Sequence, residues 1–556
     1  MKKKGKDKLF ENLPACAAEF IKLVIKKMRY RKKVRVDVMA ELAAHFEDEL
    51  KDCANDQEKE QKARKLIEDF GDVKLLGILL RRAKKRCRPV WRTVVARTFQ
   101  TIGALILCFT LYCIYISLGK PTIAVNYVEE AARLARPVAD DNLNAAPIYQ
   151  KAFDAYKEPP LVEYETETGL LDVIKDKDWV AELTEEELAL LKQWLSDNAD
   201  TIEFFKQAAE RPYCWWKREA KDNFVLSVLM PELASLRNIT KMMVWQSKLK
   251  AHEGYIEEAF DDLLTCYRVG RHLKGTRLLV EQLVGMAIQA LSTKNALVIL
   301  NNKEVDSQLL KNLQIRFEKL MAEDTYIINY ETERFYALDF MQRCYTNNGR
   351  GSGHMIPGEL KQIGGLVGEV EVKENTVFDY GRFLVMSIAS ANRCEMSRVF
   401  EKIYSTAEEW ATKTPWQLHE ENVDFEMGFA NWSFLKKARY WPVTLLAPSM
   451  GRLNEIAYRQ KAQVEALITV LAIIRFKQST GNYPESLDNL VVTGYLKQLP
   501  MDPFSDKPLI YKRTEDNFTL YSVGLNFIDD GGELGKNDRG NPTDSEGDAV
   551  FWPVIN

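Results

Sequence analysis

Between residues 38 and 50 the apolar positions Val38, Leu42, Phe46 and Leu50 recur at every fourth residue, with Met39 and Ala43 beside them. That spacing puts them on one face of an amphipathic helix. A second stripe, Ala63, Leu66, Ile67 and Phe70, stops at Gly71-Asp72, and Val73–Leu80 opens a third. Glycine after the last periodic residue is a helix-ending signal. These segments predict a small helical bundle. The pattern then changes: the 21 residues from Thr98 to Leu118 carry no charge at all. As a helix they extend roughly 31 Å, about the hydrocarbon thickness of a bilayer. They read as one membrane span, a buried helix of a soluble core being the alternative.

Residues 125–345 show mostly helical periodicity, interrupted at Pro137, Pro159-Pro160, Pro212 and Pro231. The clearest unit is Glu232–Gly275. There Leu236, Ile239, Met243 and Leu249 form one stripe and Ile256, Ala259, Leu263, Tyr267 and Leu273 another, joined at Glu253-Gly254. An antiparallel helix pair is expected. Its Ala251, Gly254 and Ala259 resemble a tetratricopeptide-type turn, but no second clean copy follows at the repeat's period of roughly 34 residues. Asn347–Asn375 is glycine-rich, lacks helical stripes and reads as a mobile linker or insertion. Helical patterning resumes over Val377–Lys413, takes in an aromatic group at Trp410, Trp416, Trp432 and Trp441, and returns at Leu453–Gln478. Strands are expected at 508–513 and 518–523, with TEDN as their turn, and at 549–554.

Charge sharpens the membrane reading. Residues 1–97 hold 27 Lys/Arg against 15 Asp/Glu, or +12, and the remaining 50 against 65 give −15. Arg81–Arg97 is rich in Lys and Arg and has no acid, immediately before the apolar run. The positive-inside rule therefore places residues 1–97 in the cytoplasm and 119–556 outside it. Lipid headgroups account for the basic run without a nucleic-acid partner.

Chemistry-bearing motifs are sparse. The sequence has no CxxC pair, no GxSxG, no HExxH and no Walker motif. Cys214, Cys266, Cys344 and Cys394 are expected as free thiols, with pairing open to them in an oxidising compartment. Glu41, His45 and Glu49 share a helical face, as do Glu257 and Asp261 between His252 and His272; both read as solvated faces. Arg237, Arg268, Arg271 and Glu281 are candidates for ion pairs lining a groove. His354 falls in the glycine-rich stretch, and His419 has no partner visible in the sequence.

Two stretches carry a family resemblance. Residues 28–86, with the turn Phe70-Gly71-Asp72, resemble the short helical prefix domain on the cytoplasmic side of some bacterial membrane proteins, which implies association without chemistry. Residues 462–551 resemble the C-terminal domain of the major pseudopilin of type II secretion systems. The match runs through Thr480-Gly481-Asn482-Tyr483-Pro484, Leu487, Leu490, Leu499-Pro500 and Asp502-Pro503-Phe504 to Tyr511 and Tyr521-Ser522-Val523-Gly524. The chain departs from that family's start: Phe109-Thr110-Leu111 only echoes it, no Glu follows, and some 340 residues separate the span from the similar domain. A grafted module fits better than a fibre subunit. The resemblance implies a structural calcium ion in the loop before the last strand, with Asp529, Asp530, Asp544 and Asp548 as its ligands. The loop lacks the closing Glu of an EF-hand, and a plain solvated loop is the alternative.

The expected fold is mainly α. It comprises a cytoplasmic helical bundle (1–89), one transmembrane helix with its basic flank (90–119), a large extracytoplasmic helical domain (120–346), the linker or insertion (347–375), a helical continuation (376–460) and a small α/β module (461–556). No catalytic residue or bound organic cofactor is assigned. The expected function is interaction or scaffolding by a single-pass protein of the bacterial inner membrane, with the membrane and other envelope proteins as partners. A secretion-system component and an extracytoplasmic enzyme with its site in the helical domain are the alternatives.

Overall fold

The computed structural model describes residues 8–86, 90–163, 167–350, 352–364, 377–423, 431–447, 450–536, 542–543 and 546–554. The chain is mainly helical and divides into two compact units, Met1–Cys113 and Ile114–Asn556.

The first unit contains α1 (Ala15–Lys27), α2 (Lys32–Leu50), α3 (Asp56–Phe70) and α4 (Val73–Arg86). The stripe Val38, Leu42, Phe46 and Leu50 is buried against Ala17, Phe20, Ile21 and Val24 of α1. Rings meet at its centre, with Phe70 lying 6.0 Å from Phe20 and 5.6 Å from Phe46. The Phe70-Gly71-Asp72 turn thus has three separate jobs. Phe70 anchors the end of α3, Gly71 supplies a φ of 72°, and Asp72 Oδ1 accepts from the amides of Lys74 and Leu75 at 2.7 Å each. The last contact satisfies orphan donors in the first turn of α4. Leu75, Ile78 and Leu79 of α4 remain exposed.

The apolar run lies in α5 (Val90–Ser117). Only 6% of its most apolar window is buried, against 72% for Leu279–Asn302, the other long apolar helix among the described residues. The second is a core helix; the first is not. Hydroxyls within α5 are satisfied locally, Thr98, Thr101 and Thr110 donating to the carbonyls of Val94, Arg97 and Ile106.

The second unit opens with α6 (Tyr127–Ala135) and α7 (Ala146–Ala155), a short hairpin of β1 (Leu161–Glu163) and β2 (Glu167–Gly169), then α8 (Glu185–Asp197) and α9 (Ala199–Ala209). A reciprocal capping box starts α8: Thr184 Oγ1 accepts from Glu187 N, and Glu187 Oε2 from Thr184 N. The expected pair follows as α10 (Pro231–Glu253) and α11 (Ile256–His272), turning at Gly254 with φ 98°. Next come α12 (Leu279–Asn302), α13 (Ser307–Ala322) and α14 (Arg334–Cys344). Helices α11 and α12 touch through glycine: a Cβ on Gly270 would sit 2.5 Å from the Gly285 carbonyl oxygen, and one on Gly285 2.5 Å from that of Gly270.

The expected linker differs over its described part. Tyr345 bridges to Met355, α15 (Pro357–Gly364) follows, and Met355, Ile356 and Leu360 are buried. The three apolar side chains outweigh the surrounding glycines and hold residues 354–360 on the core. Residues 365–375 of that stretch lie outside the described residues.

The chain continues through α16 (Val377–Ala389), α17 (Arg393–Ala411), α18 (Pro415–Glu420), α19 (Phe434–Arg439), α20 (Trp441–Leu446), the long α21 (Met450–Thr480) and α22 (Leu487–Val492). Of the four tryptophans, Trp432 and Trp441 pack against one hydrophobic cluster, on Tyr440 and Phe340, while Trp416 meets Phe527. An antiparallel sheet closes the fold in the order β3 (Ile510–Arg513), β4 (Phe518–Ser522), β5 (Ala549–Trp552), with Tyr521 opposite both Ile510 and Val550. One hydrophobic cluster joins this sheet to the helices, containing Phe518, Leu520 and Trp552 together with Leu297, Leu300, Leu310, Phe317, Leu467 and Leu471. All eight described cysteines are free, and Cys214, Cys266 and Cys344 are fully buried.

Candidate functional site

The richest polar assembly lies where α10, α11 and α12 meet. Glu232 and Glu281 each sit in the first turn of their helix, α10 and α12, where the helix dipole favours a carboxylate. Arg218 bonds both of them, and Arg277 adds a contact to Glu281 at 3.4 Å while donating to the Cys214 carbonyl. Burial works against the Arg218 charge, yet Glu281 and Glu232 hold its pKa above the usual arginine value.

Further along α12, Gln289 Oε1 accepts from Lys274 Nζ at 3.1 Å, and that ammonium lies 2.9 Å from Asp324 Oδ1. Gln289 Nε2 and the Tyr267 hydroxyl both donate to Asp324 Oδ2. Burial lowers the Lys274 pKa, and Asp324 opposes that shift. The Gly270–Gly285 crossing lets α11 and α12 come close enough for Lys274 and Gln289 to share one carboxylate. A third assembly centres on Asp262, fully buried on α11, which receives Lys250 at 2.6 Å, Lys206, and the Gln246 amide.

Beside these networks is a cavity of about 240 Å³ lined by Arg136, Arg271, His272, Lys274, Arg277 and the Cys214 region, with no carboxylate in its wall. His272 Nε2 donates to the Arg211 carbonyl, so Nδ1 accepts from the Tyr149 hydroxyl at 3.0 Å. Burial pushes its pKa down to about 4, leaving a neutral, fully engaged ring. Each cation in the wall has a carboxylate behind it: Asp141 for Arg136, Glu323 for Arg271, Asp324 for Lys274 and Glu281 for Arg277. The arrangement locks helices together, each positive charge of the wall being answered from within the protein.

The residues singled out from sequence are scattered. His252 and Glu257 are exposed, Asp261 pairs with Arg316, and Arg271 pairs with Glu323, so these four do not converge. Arg237 is exposed, Arg268 reaches Glu210, and only Glu281 of that groove set enters the buried network. On α2, Glu41 pairs with Lys84 and the His45 ring lies against Phe70. His354 packs on Tyr115 at 4.7 Å, and His419 stacks on Phe527 at 4.1 Å. Sequence reasoning passed over Arg218, Glu232, Lys274, Arg277 and Asp324. A usable signal existed for Asp262, which falls among Ala259, Leu263 and Cys266 on the apolar side of its helix.

In the C-terminal module, fully buried Asp502 accepts from Phe504 N at 3.0 Å, Ser505 Oγ at 3.2 Å, Ser522 Oγ at 2.7 Å and Val523 N at 3.0 Å. One carboxylate thereby ties the Asp502-Pro503-Phe504 turn to the end of β4. The Tyr511 hydroxyl similarly fastens the Tyr483-Pro484 corner by donating to the Pro484 carbonyl at 2.8 Å.

In the acidic loop, Asp548 is fully buried and accepts from Asp530 N at 3.2 Å and Gly532 N at 2.6 Å. Asp529 Oδ1 accepts from the Tyr521 hydroxyl and Gly531 N, and Asp530 Oδ2 from Asn526. Asp544 lies outside the described residues. Among the described residues no three His, Cys, Asp or Glu side chains are grouped as ligands of a metal ion. The three visible carboxylates hold the loop through amide and hydroxyl donors. No protein-family model, no curated protein and no solved structure matches the chain.

Proposed function

We propose that the chain is a single-pass protein of a bacterial inner membrane, its N-terminal unit cytoplasmic and its larger unit outside, acting by interaction or scaffolding and not by catalysis. The observation that carries this reading is α5, a long apolar helix with only 6% of its most apolar window buried. Exposure of such a helix to water is unfavourable, and a bilayer removes the penalty. The exposed Leu75, Ile78 and Leu79 on α4 support a partner for the N-terminal unit. The buried ion networks of the larger unit are saturated by one another, which supports a structural role for them. A periplasmic reporter fused after Lys120 is expected to be active, and activity of a cytoplasmic reporter at that position would overturn the topology.

The likeness of the C-terminal module to the pseudopilin domain supports a secretion machinery as the setting. Crosslinking in native membranes then recovers subunits of that machinery, and their consistent absence removes this part of the reading. The same likeness supports calcium held by Asp529, Asp530, Asp544 and Asp548. Burial raises the Asp548 pKa, with the Asp529 and Asp530 charges adding to it and the amides of Gly532 and Asp530 opposing it. The full chain is expected to melt at a higher temperature in calcium than in chelator; identical midpoints return the loop to a plain solvated turn.

A further inference from the structure

The larger unit exposes an apolar and basic surface on α16, α19 and α20. Phe434 is 83% exposed, Leu435 78% and Val385 65%, and Tyr380 and Leu445 extend the same set. Residues 377–389 and 431–447 carry Arg382, Lys436, Lys437 and Arg439 against the single acid Asp379, and Arg439 pairs with Glu395 of α17. Aromatic rings stand among these cations: Lys436 Nζ lies 4.3 Å from the Trp432 ring centre, and Arg439 lies over Tyr440.

A short relay of contacts connects this surface to the end of α5. Ile116 is fully buried, and the Tyr115 ring packs on His354. A Cβ on Gly119 would come within 2.9 Å of His354 Nε2, so the chain leaving α5 runs hard against that residue. The carbonyl of the adjacent Gly353 accepts from Arg393 N at 2.8 Å, and the Arg439 carbonyl accepts from Ala391 N at 2.8 Å. The Tyr345 hydroxyl also meets Ser390 Oγ at 2.9 Å, just past α16. The exposed Phe434-Leu435 pair is thus a few packed residues from where α5 ends.

We propose that this patch rests on an anionic lipid surface beside the exit of α5, with Phe434, Leu435 and Val385 entering the acyl boundary and Arg382, Lys436 and Lys437 at the headgroups. The proposal rests on the reading of α5 as a membrane span. Lipid fits better than a protein partner because cations outnumber carboxylates around the exposed apolar side chains, aromatic rings accompany them as at bilayer interfaces, and a relay of contacts leads from the patch to the end of α5. Lysine and arginine stems lie along apolar surface while their heads reach phosphate, which is the arrangement that α19 offers.

The test uses the full chain in vesicles of phosphatidylethanolamine and phosphatidylglycerol, with benzoylphenylalanine replacing Phe109, Leu435 or Val492 in turn. Val492 is 86% exposed on α22 and serves as the control for unspecific labelling. Lipid adducts are expected at positions 109 and 435 and not at 492. The double substitution Lys436→Glu/Lys437→Glu is expected to reduce the yield at 435 by roughly tenfold or more, with 109 unchanged. Adducts at 109 without any at 435, or capture of a second protein chain at 435 instead of lipid, overturn the patch and leave the span standing. No adduct at 109 overturns the span reading itself, and the patch with it.

Discussion

Lys248 of α10 is 5% exposed, and its ammonium lies 4.4 Å from the Trp245 ring centre with no carboxylate in ion-pair reach among the described residues. Burial lowers its pKa to about 8. The unfolded chain therefore holds this proton more tightly than the folded one between about pH 8 and the ordinary lysine value near 10.5. Stability contributed by this group must rise with pH across that window, because the unfolded state binds more protons there. Lys248→Met, close in volume, is expected to raise stability at pH 7 by about 2 kcal/mol and to remove that part of the alkaline rise. Denaturant melts of both proteins at pH 7, 9 and 10.5 check it, and parallel curves would refute it. The sequence stripes gave no warning of this burial. They mark one face of a helix, whereas α10 is buried on nearly every side from Met242 to Leu249 because α9, α11 and α12 surround it.

The antiparallel pair, the bundle stripes and the three C-terminal strands were legible because each rests on local periodicity and turn chemistry. Contacts between elements were not. Gly270 and Gly285 belong to none of the apolar stripes, yet a close approach of α11 and α12 depends on them. A methyl at either has no room against carbonyl oxygen, and backbone cannot rotate away as a side chain does. Gly285→Ala is expected to cost at least about 2 kcal/mol in a urea melt, while Gly358→Ala, with open space around its Cα, costs far less. Equal losses at the two positions would contradict the packing. The ion networks were illegible for the same reason, since Arg218, Glu281 and Asp324 come from separate segments and no spacing rule relates them. The glycine-rich stretch misled in the opposite direction: its composition concealed Met355, Ile356 and Leu360.

Across the larger unit, the C-terminal module does not stand apart. Its sheet completes a hydrophobic cluster with α12, α13 and α21, and α18 docks on it through Trp416 N, which donates to the Pro503 carbonyl at 3.1 Å. Removing residues 461–556 uncovers Leu297, Leu300, Leu310 and Phe317 together. The truncated chain is expected to lose its cooperative thermal transition, and the fragment 459–556 to show none of its own. A sharp melt from either piece in circular dichroism would make the module independent. Local sequence signals mark the strands and turns of this region, but only the packing shows which helices it needs.

The buried cysteines extend this picture into time. Burial raises the pKa of Cys214, Cys266 and Cys344, so none offers a thiolate to an alkylating reagent while its surroundings stay closed. Cys214 and Cys266 belong to one hydrophobic cluster and Cys344 to another. The thiols are therefore clocks for two neighbourhoods: the interval before Cys214 or Cys266 reacts counts the openings of one, that before Cys344 reacts counts those of the other, and unequal intervals would reveal which part of the unit breathes first.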